Sequence, residues 1–402
     1  LFDPRCKYNG DEIAAVAAET PQEAWDAVRA IAVEYEVLPS VVDAEDALEK
    51  GAPSVCKNGN RAGNARTYER GDIAAGFAAA DVVLDQTYRT SFELHAPMEP
   101  HGCVARWDGT RLVVWESTQG VFAVQRDMAR ALGLPLANVR VIGHYVGGGF
   151  GSKLAAGKYS VIAALLARRT ARPVKLFLTR EETMVAVGNR PGARMRVKAG
   201  VKRDGKLTAL AIHTVGSGGS RSRNGVGLVD WQVRDLYTCP NVRTSGQNVF
   251  INAGDQRPMR APGHPQGSWA LEQMMDALAA EIGMDPVELR LRNVPEVSQA
   301  QGNQPYTSTG FRECLADGAE AFGWAEARQR ERVDGPIRRG VGAAGCLWVA
   351  GGGGPPSTVI LKLFADGSVN LNMGAADLGT GTKTVMAMVV AEELGVPLDK
   401  IQ

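Results

Sequence analysis

The chain of 402 residues has only six cysteines (Cys6, Cys56, Cys103, Cys239, Cys314 and Cys346), and no two of them form a C-x-x-C pair. That scatter excludes a zinc ribbon or an iron–sulfur cluster built from this chain, and reads as reduced thiols. An excess of either charge is also lacking. The formal net charge is +1, which offers no electrostatic footprint for nucleic acid or an anionic surface. No apolar run approaches the roughly 18 residues of a membrane span. An initiating methionine is lacking at Leu1, and a recognisable pattern is cut at Gln402, so the chain reads as a fragment. The lack of a signal peptide then carries no information. A cytoplasmic location is expected, with a periplasmic one left open.

Glycine is abundant, at 47 residues. The densest stretch is Val146-Gly147-Gly148-Gly149-Phe150-Gly151-Ser152-Lys153. An apolar run at 139–146 precedes it and reads as a buried strand; a helical pattern at 158–169 follows. Such a junction lets the backbone approach a ligand, and the helix start offers free N–H groups to an anion. Phe150 is the only bulky side chain in the loop. The P-loop pattern fails, because Lys153 follows Ser152 and Leu154 stands where a Ser or Thr would hold magnesium. The dinucleotide fingerprint fails as well, for want of a glycine at the needed offset.

Residues 12–48 read as a small α+β unit: a strand-like 13–18, a helix opened by the capping box at Thr20 and Glu23, and extended segments at 33–37 and 40–42. Trp25, Val28, Ile31 and Ala32 give that helix one face to bury. Residues 50–70 are linker-like in composition. Strands follow at 82–90, 104–107 and 111–115, the last two joined at Asp108-Gly109. Residues 95–101 form a loop with two His, one Glu and two Pro; this is not H-E-x-x-H, and hydrogen bonding is preferred to metal binding. A helix spans 121–132, with Ser117 or Thr118 as its cap and Gly133 as its stop. Strands at 174–179 and 194–215 lead to the loop 259–267 and a helix at 268–282, whose methionine stripe reads as core. Asp285-Pro286 starts another helix. A polar connection at 295–340 holds a helix at 312–322, and strands resume at 343–349, 357–364 and 368–373.

Two stretches repeat. Gln119-Gly120, a helix and Leu132-Gly133-Leu134-Pro135-Leu136 match Thr380-Gly381, a helix and Leu394-Gly395-Val396-Pro397-Leu398. This is a duplicated strand–turn–helix–strand unit. Two such turns can aim their helix N-termini at one anionic ligand.

Taken in order, Met98-Glu99-Pro100-His101, Ser117-Thr118-Gln119-Gly120, the loop 147–153, Arg260-Ala261-Pro262-Gly263, Asp285-Pro286 and Gly379-Thr380-Gly381 resemble the molybdenum-binding large subunit of the xanthine dehydrogenase and aldehyde oxidoreductase family. The resemblance covers essentially the whole chain. It implies an α+β fold: the C-terminal part of a hammerhead-like domain (1–55), a linker (56–79), a first molybdopterin-binding domain (80–312) and the start of a related second one (338–402). It implies a molybdopterin cofactor, mononucleotide or cytosine dinucleotide, whose dithiolene rather than a cysteine holds the metal. Partner subunits would carry iron–sulfur clusters and FAD. By resemblance, Gln119 donates to an oxygen on the metal. Phe150 lies over the metal with Gly148, Gly149 and Gly151, and Gly120 lines the cofactor. Arg260 orients substrate or its developing charge, and Thr380 and Gly381 touch the pterin or its phosphate.

The implied reaction is hydroxylation of an aldehyde or electron-poor aromatic carbon with oxygen from water. The family's general-base glutamate has no counterpart in this chain, so the fragment alone is expected to be inactive; Glu392 and Glu393 lie within a helix and do not replace it. Leu154 stands where purine-oxidising members carry Glu, and Ala261 where the carbon monoxide branch carries Cys. A non-catalytic paralogue, or a member acting on a purine or an aromatic acyl-CoA, stays open as an alternative.

Overall fold

The computed structural model describes residues 2–329, 335–348 and 357–402. Helix α1 (Pro21–Arg29) starts where expected, with Thr20 Oγ1 accepting from the Glu23 N–H and Glu23 bonding back to the Thr20 N–H. Its apolar stripe is not buried, contrary to expectation: Trp25 and Val28, and Ile31 just beyond the helix end, are each about two-fifths exposed. They face a cavity of about 1040 Å³ whose other wall includes Ile162 and Leu166. The strand expected at 13–18 pairs with nothing among the described residues; it is extended backbone along the same cavity.

The stretch read as a linker is ordered into the first domain. Strand β1 (Arg66–Arg70) pairs along β9, and helix α2 (Ile73–Ala78) is capped by Asp72. Polar composition misled here because β1 is an edge strand and its side chains lie at the surface. After β2 (Val82–Thr90) come β3 (Gly102–Asp108), β4 (Arg111–Glu116), α3 (Val121–Leu132), β5 (Val139–Ile142), α4 (Lys158–Thr170), β6 (Val174–Phe177) and α5 (Arg180–Val185). Then follow β7 (Ala193–Val201), β8 (Leu207–Gly219), α6 (Trp231–Asp235), β9 (Val242–Phe250), α7 (His264–Ile282) and α8 (Pro286–Leu291).

These strands make two sheets, ordered β1-β9-β8-β7-β2 and β5-β4-β3-β6. Leu271, Met274, Met275 and Leu278 of α7 are wholly buried on the first. Val124 and Met128 of α3 and Ala163 and Ala164 of α4 pack on the second, against Cys103, Leu112 and Val114. Each sheet contains one parallel pair, β4 with β5 and β8 with β9. Parallel neighbours end at the same sheet edge, which is where ligands meet such sheets. The turn after β4 and the Gly-rich loop after β5 therefore leave side by side.

A short hairpin, β10 (Val297–Ser298) and β11 (Gln304–Pro305), and helices α9 (Phe311–Phe322) and α10 (Trp324–Gln329) lead away from α8. The strand expected at 343–349 is not formed over 343–348, and 349 lies outside the described residues. Instead Gly345 N–H donates to Glu272, and Leu347 N–H to Gln232, on the first domain. The strand read at 357–364 is the shorter β12 (Val359–Leu363), which pairs with β13 (Val369–Met373) before α11 (Thr382–Leu394).

The repeat read from sequence is a repeat in space. Both α3 and α11 end on a left-handed glycine, Gly133 or Gly395, followed by one 3-10 turn. Val139 then lies parallel to Leu112 in the first unit, as Ile401 does to Val369 in the second. The units touch where Phe122 stands against Gly374: a Cβ there would come 2.4 Å from the ring.

Candidate cofactor site

The site begins with a buried lysine. Lys153 has no exposed surface, and its Nζ donates to Ser117 Oγ at 2.7 Å, the Glu99 carbonyl at 2.9 Å and Glu99 Oε2 at 3.2 Å. Glu99 Oε2 also accepts from Ser117 Oγ and from the Gly147 N–H at 2.7 Å. Burial lowers the lysine more than its attraction to Glu99 raises it. Burial also pushes the Glu99 carboxyl up, but the Ser117 and Gly147 hydrogen bonds and the Lys153 charge outweigh that and hold it below the carboxylate norm. The pair fastens the 95–101 loop, the end of β4 and the Gly-rich loop together. Lys153→Met would leave Glu99 without its cation. Because Glu99 is partly exposed, we expect a loss of about 3 kcal/mol, the low end for breaking a buried pair, read as a fall in denaturant midpoint.

The same loop sends two histidines to its neighbours. His101, 1% exposed, lies with Nε2 2.9 Å from Ser152 Oγ, which donates to the Gly149 carbonyl at 2.8 Å. Burial and then the Lys153 charge lower His101 to about 3, so it is neutral and donates from Nε2. His95 Nε2 donates to the Pro258 carbonyl at 2.8 Å. Both histidines are engaged in hydrogen bonds, and no cluster of three His, Cys, Asp or Glu side chains that could hold a metal ion occurs among the described residues. The pairing of His101 with Ser152 was not readable from sequence, since 51 residues separate them.

Gln119, Phe150 and Arg260 come together through backbone. Gln119 Oε1 accepts from the Gly151 N–H at 2.7 Å and the Lys153 N–H at 3.3 Å. These two bonds fix which end of the amide is oxygen, and leave Nε2 as a donor with no partner among the described residues. The Phe150 carbonyl accepts from the Arg260 N–H at 2.8 Å. Phe150 itself is left-handed, φ 52°, with its ring 45% exposed. A Cβ on Gly149 would fall 2.4 Å from Gln119 Oε1, so this glycine is what lets the loop close on the glutamine. The Arg260 side chain is exposed and has no ion pair or hydrogen bond among the described residues.

The helix starts differ from expectation. Neither Ser117 nor Thr118 caps α3. Ser117 is held by Glu99 and Lys153, and Thr118 Oγ1 donates to the Lys153 carbonyl while accepting from the Gly120 N–H. The first turn of α3 therefore has no side-chain cap, and its N–H groups stay open beside Gly120. At α11 the reverse holds. Asp377 accepts from Gly379, Gly381 and Lys383 N–H groups, so a carboxylate of the chain already sits on that helix start. Thr380 Oγ1 bonds to Thr382 Oγ1 rather than to the first domain. The helix after the Gly-rich loop begins at Lys158, as expected, five residues beyond Lys153.

One buried acid was not singled out by sequence. Glu116, 4% exposed, accepts from Ser160 Oγ at 2.9 Å and Tyr159 Oη at 3.4 Å, and its Oε2 has no partner. Burial raises it from 4.5 to about 7, against those hydrogen bonds. A carboxyl with a raised folded value stabilises fully below its unfolded value and loses that contribution as pH rises through the folded one. Stability should thus fall by about 2–3 kcal/mol between about pH 5 and pH 8 from this group. Glu116→Gln should flatten that slope in denaturant midpoints.

The residues fit a pterin-held metal: an oriented amide donor, an open helix start for phosphate, a glycine-lined cradle and an unpaired cation. Residues 56–294 and 317–402 each match a family model described as a molybdopterin cofactor-binding domain. The chain is 34% identical over 415 residues to the aldehyde oxidoreductase molybdenum-binding subunit of Escherichia coli, covering 100% of this chain and 54% of that one. It is 34% identical over 326 residues to the nicotinate dehydrogenase large molybdopterin subunit of Eubacterium barkeri, 80% of this chain and 76% of that one. The solved aldehyde oxidoreductase of Desulfovibrio desulfuricans superposes with a TM-score of 0.90 at 25% identity, over 98% of this chain and 45% of that one. The chain thus spans about half the length of several curated relatives. No helix among the described residues is long and apolar enough to cross a membrane.

Proposed function

Because the chain belongs to the molybdopterin cofactor-binding family, we propose that it supplies the cofactor-facing part of a molybdenum hydroxylase acting on an aldehyde or an electron-poor heteroaromatic carbon. The observation that carries this reading is the Gln119 amide, whose oxygen is tied down by Gly151 and Lys153 so that its nitrogen is left to donate. When bound, the cofactor supplies an activated water-derived oxygen and accepts the substrate's electrons.

The chain's own residues do the rest. Gln119 Nε2 would donate a hydrogen bond to the bound cofactor. Gly148, Gly149 and Gly151 let the backbone close beneath the group, and the Phe150 ring walls it and excludes water. Gly120 and the open first turn of α3 take the phosphate. Arg260 presents an unpaired guanidinium to substrate, where it orients a polar group or stabilises developing negative charge. Thr380 and Gly381 reach the pterin or its phosphate from the second unit, and contact at Gly381 requires Asp377 to yield its hydrogen bonds. Glu392 and Glu393 are exposed on α11 and stay outside the chemistry.

Leu154 in place of an acid favours aldehydes or other heterocycles over purines; two relatives are named for aldehyde and nicotinate, while others at 30–32% identity are named for xanthine or hypoxanthine. Description of these relatives as subunits supports partner chains. We assign these to an iron–sulfur and an FAD subunit, and the cofactor to a molybdopterin, in its mononucleotide or cytosine dinucleotide form. The test is metal and pterin analysis of full-length protein purified with its partners, with benzaldehyde and nicotinate oxidation in isotopically labelled water. Stoichiometric molybdenum and label in the product are expected. Partners without molybdenum, or product oxygen not drawn from water, would overturn the reading.

A further inference from the structure

Arg190 was not singled out by any motif, yet it is 5% exposed and reaches the loop of Arg260, whose guanidinium has no partner among the described residues. Its Nη2 donates to the Arg260 carbonyl at 2.8 Å, and its Nη1 to the Ala261 carbonyl at 3.3 Å. Its Nε donates to Glu93 Oε2 at 2.9 Å. The backbone beneath it is fixed from both sides. Glu93 and Arg190 exchange N–H···O bonds at 3.1 and 2.9 Å, while Asn189 bridges in parallel to Gln256. Arg257 N–H donates to the Asn189 carbonyl at 2.9 Å.

The grip falls where the loop needs one. Ala261 has φ 60°, a left-handed conformation that a residue with a Cβ adopts at a cost and keeps only under outside support. The Arg260 peptide is held in front by the Phe150 carbonyl on its N–H and behind by Arg190 on its C=O. With both ends of that residue tied, the direction in which its Cα–Cβ bond leaves the loop is set. A lysine at 190 has one point of attachment in place of a planar fork and cannot hold two successive carbonyls and a carboxylate in the same geometry.

We propose that Arg190, braced by Glu93, is a positioning residue that aims Arg260 at the substrate by clamping two successive carbonyls of its loop. This rests on the reading of Arg260 as a substrate-side residue, but the clamp itself stands on the backbone contacts alone.

Two measurements on the full-length enzyme with its partners keep these apart. The first is amide hydrogen exchange over residues 258–263. Arg190→Met and Arg190→Lys should each speed it by roughly tenfold, the loss of charge-assisted hydrogen bonds, with molybdenum content and exchange of the α7 helix unchanged. Unaltered exchange over 258–263 would overturn the clamp. The second is a double-mutant cycle in kcat/KM for benzaldehyde. Arg190→Lys should lower it roughly tenfold in the parent and leave it unchanged in the Arg260→Ala background, because a residue acting only through Arg260 has nothing left to aim. An equal further loss in that background would show a general structural role and defeat the proposal. Faster exchange in a protein with no molybdenum and no turnover would sustain the clamp and defeat the functional reading instead.

Discussion

Gln119→Glu in the full-length, cofactor-loaded enzyme should lower turnover by on the order of 10² to 10³-fold while leaving the Gly-rich loop in place. The reason lies in the asymmetry of the amide's bonds. Its Oε1 serves the loop, accepting from Gly151 and Lys153, which leaves Nε2 free for the proposed contact with the cofactor. A glutamate keeps both acceptor bonds and removes the donor. The expected size is that of deleting one preorganised donor aimed at developing charge. Gln119→Ala is the less clean change, because it also strands two backbone N–H groups. Turnover in the glutamate variant within twofold of the parent, at equal molybdenum content, would show that the free amide nitrogen plays no part.

Gly151→Ala should be strongly destabilising. Gly151 has φ 109°, and a Cβ there would lie 2.1 Å from the Pro258 carbonyl oxygen. Backbone strain of about 1–3 kcal/mol adds to an overpacking cost of about 1–3 kcal/mol, because the obstacle is backbone and cannot rotate away. The collision would also part the Gly-rich loop from the arginine loop, so cofactor content should fall with stability. Gly109→Ala makes the comparison: φ is 57° and no atom lies within 4 Å. That variant should lose only the left-handed penalty, about 1–2 kcal/mol. Equal losses at the two positions, measured as denaturant midpoints, would mean the contact with Pro258 is not what the glycine serves.

These residues were legible beforehand because their signals are local. Four glycines around one phenylalanine, Gln119-Gly120 ahead of a helix and the duplicated stop at Gly133 and Gly395 all lie within a few residues of the feature they mark. The span of α3 was readable for the same reason. Its cap was not, because Ser117 could be claimed by a lysine 36 residues away, and was. Asp377 escaped notice since nothing local says that a carboxylate will fold back onto the N–H groups expected to bind an anion. Arg190 was invisible for a stronger reason: its partners at Arg260 lie 70 residues on, and their meeting is fixed by sheet packing. In α1 the pattern of Trp25 and Val28 correctly gave a helix but not its burial, and Ile31 lies beyond its end at Arg29. Periodicity says which face is apolar and not what covers it.

We propose that the cofactor sits where the Gln119 amide meets the Gly-rich loop, beside the Phe150–Arg260 backbone contact. An experimental structure of the full-length, loaded protein tests it most directly. We predict the pterin-bound metal within hydrogen-bond reach of Gln119 Nε2, beside Phe150, with the phosphate at the start of α3. A metal centre seated elsewhere, with Gln119 Nε2 turned away into solvent, would contradict it.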